Sequence, residues 1–167
     1  MTPETLVLSF IEDYFQWNER SNTLAEQIQQ PHDADLLSLG ITEPIRLNQI
    51  TNLEQYLEVK RRYSEKSAKL TADVSADWQE LIKKYCPHNH NAHGWSFGTP
   101  PTHNPATEVI ISVETINKKS IVKTQNTYNY GYGKLISDYE FHLSYANEQW
   151  HLERIYDVNE EEKIRLL

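Results

Sequence analysis

From Glu108 to Val158 the chain reads as three or four consecutive antiparallel strands, and this stretch narrows the fold more than any other. Tyr139, Phe141, Leu143 and Tyr145 fall on one face; Asp138, Glu140, His142 and Ser144 fall on the other, the signature of a half-buried strand. The same pattern predicts a next strand with Trp150, Leu152 and Tyr156 alternating with His151 and Glu153. The short polar link Ala146-Asn-Glu-Gln149 makes the two a hairpin. Upstream, Glu108–Val113 and Ser120–Thr124 flank the turn Asn117-Lys-Lys as a second hairpin, and Tyr130-Gly-Tyr-Gly133 introduces the third strand. Three or four antiparallel strands in one curved sheet are expected.

The first half reads as helices. Thr2 as N-cap and Pro3 at the first helical position open a segment in which Leu6, Val7, Phe10, Ile11, Tyr14 and Trp17 form one apolar stripe, expected to lie across the sheet. Thr51-Asn-Leu-Glu54 has the form of a capping box, and Leu53, Tyr56, Leu57 and Tyr63 extend a helical face alongside the solvated run Lys60-Arg-Arg62. A further helix is expected over Ala76–Tyr85, with Trp78, Leu81, Ile82 and Tyr85 on one side and Pro87 as its stop. Pro31, Gly40 and Pro44 mark a loop-rich connection between the first two helical segments. The fold class is therefore α+β.

At 167 residues the chain has the length of one domain, residues 1–167, able to bury roughly 70% of its unfolded surface without staples. A lone cysteine, Cys86, excludes an intramolecular disulfide, and Met1-Thr-Pro-Glu4 lacks the basic start of a signal peptide, so a cytoplasmic protein is expected. The apolar run Leu6–Ile11 is far short of the roughly 20 residues that cross a bilayer. A net charge of −8 disfavours nucleic acid and anionic membrane as partners and favours a basic protein.

Several constellations touch chemistry. Cys86, His88, His90, His93 and His103 gather soft ligands in a short stretch, but the spacing matches no zinc pattern, so no metal is expected. Cys86 beside a histidine has the elements of a thiolate nucleophile without a visible third member, and a cysteine at a helix end before proline reads as packing. Gly131-Tyr-Gly-Lys134 shares glycines and a lysine with phosphate-binding loops, yet a strand rather than a helix follows it, so it reads as a turn. Asp13 and Tyr14 on the first helix with Glu140 and His142 on a strand are the residue types of an acid–base site in a cavity. The loop His88–Asn104 is long for a compact domain and carries Trp95 and Phe97, which read as plugs for the end of the core or as binding anchors.

Helices, a long loop and then a strand meander resemble the NTF2-like cone, N-terminal helices packed on a curved antiparallel sheet. Within that fold, Trp95-Ser-Phe-Gly-Thr-Pro-Pro101, Asn104-Pro-Ala-Thr-Glu-Val-Ile-Ile111, Ile121-Val-Lys-Thr124, Tyr139-Glu-Phe141 and Glu148-Gln-Trp-His-Leu-Glu-Arg-Ile155 resemble the NTF2-fold immunity proteins of bacterial polymorphic toxin systems. The resemblance covers the C-terminal half well and the first helix loosely; nothing in Ser21–Ala68 contributes, and His103 stands where an aromatic is expected. It implies a non-catalytic protein without cofactor, monomeric or homodimeric, that binds and neutralises a cognate toxin. Candidate contact residues are the C-terminal acids Asp157, Glu160, Glu161 and Glu162, the strand acids Asp138 and Glu140, and the loop aromatics Trp95 and Phe97. The rival reading is a small-molecule enzyme of the same fold, an isomerase or dehydratase, with an interior pocket that Phe15, Trp17, Tyr139, Phe141 and Trp150 would have to leave open. A third is a scaffold that dimerises through the open sheet.

Overall fold

A computed structural model describes residues 1–42, 50–88, 98–99, 101–131, 133–158 and 163–165. Its elements are helices α1 (Pro3–Ser38) and α2 (Leu53–Tyr85), then strands β1 (Glu108–Ile116), β2 (Lys119–Tyr130), β3 (Gly133–Ala146), β4 (Gln149–Val158) and β5 (Lys163–Arg165). The strands form one antiparallel sheet in the order β1-β2-β3-β4-β5, so the α+β class and the meander hold, with a short fifth strand at the far edge. The chain divides into two compact units, one of Met1–Glu19 with Asp77–Leu167 and one of Arg20–Ala76.

In the sheet-bearing unit, α1 begins as its sequence dictates. The Thr2 hydroxyl accepts the Thr5 amide at 3.3 Å, and Pro3 occupies a position whose N–H would have no helical partner. Leu6, Val7, Phe10, Ile11, Tyr14 and Trp17 are all buried. Phe10 meets Phe141 edge-on at 6.1 Å between centroids and Tyr85 at 5.4 Å, while Trp17 packs on Trp78 at 5.0 Å. Phe15 and Trp150, expected in this interior, are only half-buried. Trp150 instead packs at 5.2 Å on Tyr145, itself exposed, so the inward face of β3 ends at Leu143.

Two β-bulges reset the alternation. At His142/Leu143 the partner strand skips Glu153, so Leu152 and Ile155, three apart, both point inward and Tyr156 turns to the other face, against the expectation that it joins Leu152. On β1, Ile111 is the extra residue opposite Lys123 and Thr124. The β3–β4 turn is the two-residue loop Asn147-Glu148, both at positive φ (50° and 64°), the geometry that matches the twist of a hairpin.

The helical unit corrects the punctuation. Pro31 lies inside α1, which runs on to Ser38. The stop is Gly40 at φ 70°: its amide reaches the Leu37 carbonyl at 2.9 Å, and the Ile41 amide reaches that of Leu36 at 3.0 Å, a Schellman closure. That closure seats Ile41 beside Leu36 and Val59 in a small apolar cluster. Helix α2 is continuous where two helices are expected, and its N-cap is Asn52, one residue past the expected Thr51. Leu53 and Leu57 are exposed; the buried side of this stretch is Val59. Arg61 and Arg62 remain solvated and bonded to Glu58, Glu65 and Asp35, exposed pairs that water and salt screen and that add little to stability.

Candidate functional site

The inward face of β2 is polar: Ser120, Thr124 and Asn126 are as buried as Val122 between them. Those groups are satisfied locally. Glu108, entering β1, has a fully buried carboxylate that accepts from His103 Nδ1 at 2.9 Å and from the Thr124 hydroxyl. Asn126 accepts from the Thr107 hydroxyl at 2.7 Å and donates to the Thr102 carbonyl at 3.0 Å and to the Tyr128 oxygen at 2.8 Å. His103 is itself fully buried, its ring within 4.6 Å of that of Tyr139, 5.3 Å of Tyr14 and 5.3 Å of Phe141. The histidine at an aromatic position is thus an aromatic filler that also holds a buried carboxylate, at the cost of desolvating both groups. Asn18 ties the loop end in the same way, clamping the Gly98 backbone at 2.9 and 3.0 Å.

This network is what reading the sequence missed. Residues His103 and Glu108, five apart across a turn, show no periodicity, although the inward phase Val122-Thr124-Asn126 on β2 signals that something polar must face it. The residue types of an acid–base site do not converge. Tyr14 lies in the interior, its phenol pushed up chiefly by burial. Glu140 and His142 stand on the opposite face of the sheet, and Asp13 accepts from Tyr85 at 2.6 Å and from Lys84.

Cys86 is buried and its thiol is pushed up to about 12 by desolvation, which leaves almost no thiolate at neutral pH and removes it as a nucleophile. His88 lies against His151, ring centroids 5.6 Å apart, whereas His103 is committed to Glu108. His90 and His93 lie outside the described residues, among which no group of three or more ligating side chains could hold a metal ion. No helix of the described residues is long and apolar enough to cross a membrane.

The proposed contact acids part company. Asp138 is exposed on the outer face and accepts from Gln125 at 2.9 Å. Glu140, expected to be exposed beside it, is buried: Lys123 and Tyr156 stand directly opposite on the neighbouring strands, and His142 reaches back to it at 3.1 Å. Its carboxylate also meets Lys123 at 3.4 Å. Long cross-strand side chains cover a short acid here, which the alternation alone does not show. Asp157 pairs with Tyr139 and so points to the inner side; partial burial raises its carboxyl, against the pull of His103 and with the push of Asp138. Glu160, Glu161, Glu162, Trp95 and Phe97 lie outside the described residues.

The outer face also exposes apolar groups. Val109, Ile111, Ile116 and Ile136 are each more than half exposed on or beside it, along β1, an edge strand among the described residues, and on β3. Aliphatic side chains interspersed with Asp138, Gln125 and Lys123 form a surface of the kind that protein interfaces use.

Burial lifts the phenols of Tyr85 and Tyr139 well above their ordinary value of 10.0, with Asp13 adding to the rise for Tyr85 and Asp157 for Tyr139. In the unfolded chain both ionise near pH 10, while the native state keeps their protons to higher pH. Their contribution is therefore intact below about pH 10 and is lost as pH climbs beyond it. Urea midpoints are expected to be insensitive to these tyrosines up to about pH 10 and to fall above it, with Tyr85→Phe and Tyr139→Phe reducing the fall. An unchanged alkaline slope in both variants contradicts this.

Compared with family models, curated proteins and solved structures, the chain matches none.

Proposed function

We propose that this chain is a non-catalytic NTF2-like immunity protein that binds and neutralises a basic protein toxin through the outer face of its sheet. The observation that carries the reading is the division of labour between the two faces. Inside, His103, Glu108, Thr124 and Asn126 are bonded to neighbouring groups and wrapped in aromatic rings. Outside, exposed aliphatic residues lie among charges of both signs, Asp138 and Glu140 beside Lys119, Lys123 and Arg154, on a chain of net charge −8. The resemblance of the C-terminal half to immunity proteins supplies the partner class, and helix α1 packed on an antiparallel meander suits the NTF2-like cone.

An acidic inhibitor of a basic toxin gains fast encounter from electrostatic steering, while a few buried side chains supply the affinity. Co-expression with the toxin encoded beside it is expected to protect cells, and the two chains are expected to purify as a stoichiometric complex. Their association should slow as salt shortens the Debye length from about 10 Å at 0.1 M to about 3 Å at 1 M. Growth arrest despite soluble protein, or protection without a complex, contradicts the proposal.

A further inference from the structure

Past the body of the sheet, β2 and β3 run on by themselves among the described residues. The β1 register starts at Glu108 opposite Asn126, and β4 stops at Val158 opposite Asp138. One further bond joins the Thr127 amide to the Thr107 carbonyl at 3.3 Å. The register of β2 and β3 then continues from Thr127 opposite Ile136 to Tyr130 opposite Gly133, which at roughly 3.3 Å per residue carries a two-stranded ribbon about 13 Å beyond its neighbours. Its base is pinned, since Asn126 Nδ2 donates to the Tyr128 oxygen at 2.8 Å and Tyr128 stands directly opposite Leu135. The ribbon is apolar on both faces. Leu135 continues the inward phase of Phe141 and Tyr139, Ile136 the outward phase of Glu140 and Asp138, yet Leu135 is 46% exposed and Ile136 55%. Between Thr127 and Ser137 the one charged residue is Lys134.

Resting on the binding-protein reading above, we propose that this ribbon inserts into a cleft of the partner protein whose walls cover both of its faces. One flat surface covers Leu135 or Ile136 but not both, because they point to opposite sides. A second copy of this chain, pairing edge to edge, extends the sheet and leaves both faces bare. A lipid layer covers the faces but leaves the backbone N–H and C=O groups along the ribbon's two edges without partners, whereas a protein cleft supplies them. The two strands are already paired in register, so little ordering remains to be done on insertion. The residues specify the cleft: apolar walls for Leu135 and Ile136, and a hydrogen-bond acceptor for the Lys134 ammonium.

The probe is the toxin encoded beside this chain, purified in an inactive form, with binding followed by calorimetry. Leu135→Asp and Ile136→Asp, both at exposed positions, are expected to fold and each to weaken the complex at least about tenfold. Leu135 decides, because docking on the outer face alone leaves Leu135→Asp binding like the parent. Hydrogen exchange on the parent complex gives a second readout that needs no variant to fold: the amides of both ribbon strands are expected to exchange more slowly than in the free chain. A parent complex that folded Leu135→Asp leaves unchanged, or in which the ribbon amides exchange as in the free chain, overturns the ribbon and keeps the binding reading. The absence of any complex refutes the binding reading and the ribbon's role with it. Ribbon amides protected by neutral lipid vesicles and not by the toxin overturn the cleft. A complex that grips the ribbon yet protects no cell keeps the inference and refutes immunity.

Discussion

Phe141→Ala is expected to remove about 3–5 kcal/mol of stability, the cost of deleting a buried aromatic and leaving its cavity. Phe141 is fully buried between Phe10 and His103 on one side and the strand neighbours Val122 and Ile155 on the others, so helix and sheet cannot both close on the space it leaves. At roughly 2–4 °C per kcal/mol for a chain of this length, the midpoint should drop on the order of 10 °C or more. Thermal unfolding by circular dichroism measures it. A loss below about 1 kcal/mol would place Phe141 outside the core and undo the packing of α1 on β3.

His103→Leu is expected to cost as much by another route. The leucine keeps the apolar volume, but Glu108 is left with a buried carboxylate that has lost its His103 partner, a defect worth about 3–5 kcal/mol when a buried pair is broken from one side. Replacing both, as His103→Leu with Glu108→Met, should recover most of that, since an apolar pair of similar size is often neutral. The Thr124 hydroxyl then loses its acceptor, about 1–3 kcal/mol of the remaining deficit. Denaturant midpoints of the three proteins decide it. A mild single variant, or a double variant no better than the single, means that the pair is not what closes the interior.

The parts of the fold legible in the sequence were those whose residues carry their own period. The stripe Leu6 to Trp17 and the alternation Tyr139-Phe141-Leu143 each report one buried face directly, and both are buried. The middle of α2 around Ser64–Ala72 was not legible, because it is mostly polar and exposed and leaves no strong stripe, though its Glu, Lys and Ala residues are good helix formers. Pro31 read as a break for a sound local reason, yet it costs one hydrogen bond in a helix of 36 residues. The bulges at Ile111 and Glu153 shift the phase mid-strand, and no count of alternation anticipates a slip. Both bear on the outer face, since one leaves Ile111 as an extra exposed residue and the other turns Tyr156 over Glu140.

On the proposed function, the interior serves folding and the outer face serves binding. The measurement that tests it most directly is the affinity of folded variants for the cognate toxin, by calorimetry. The interior double variant His103→Leu with Glu108→Met is expected to bind within about threefold of the parent, under about 1 kcal/mol. The outer-face variants Ile111→Asp and Ile136→Asp, exposed and therefore expected to fold, should each lose more than about 2 kcal/mol of binding, the size of an interface hot spot. Outer-face variants that bind like the parent, beside a folded interior variant that no longer binds or protects, would contradict the account.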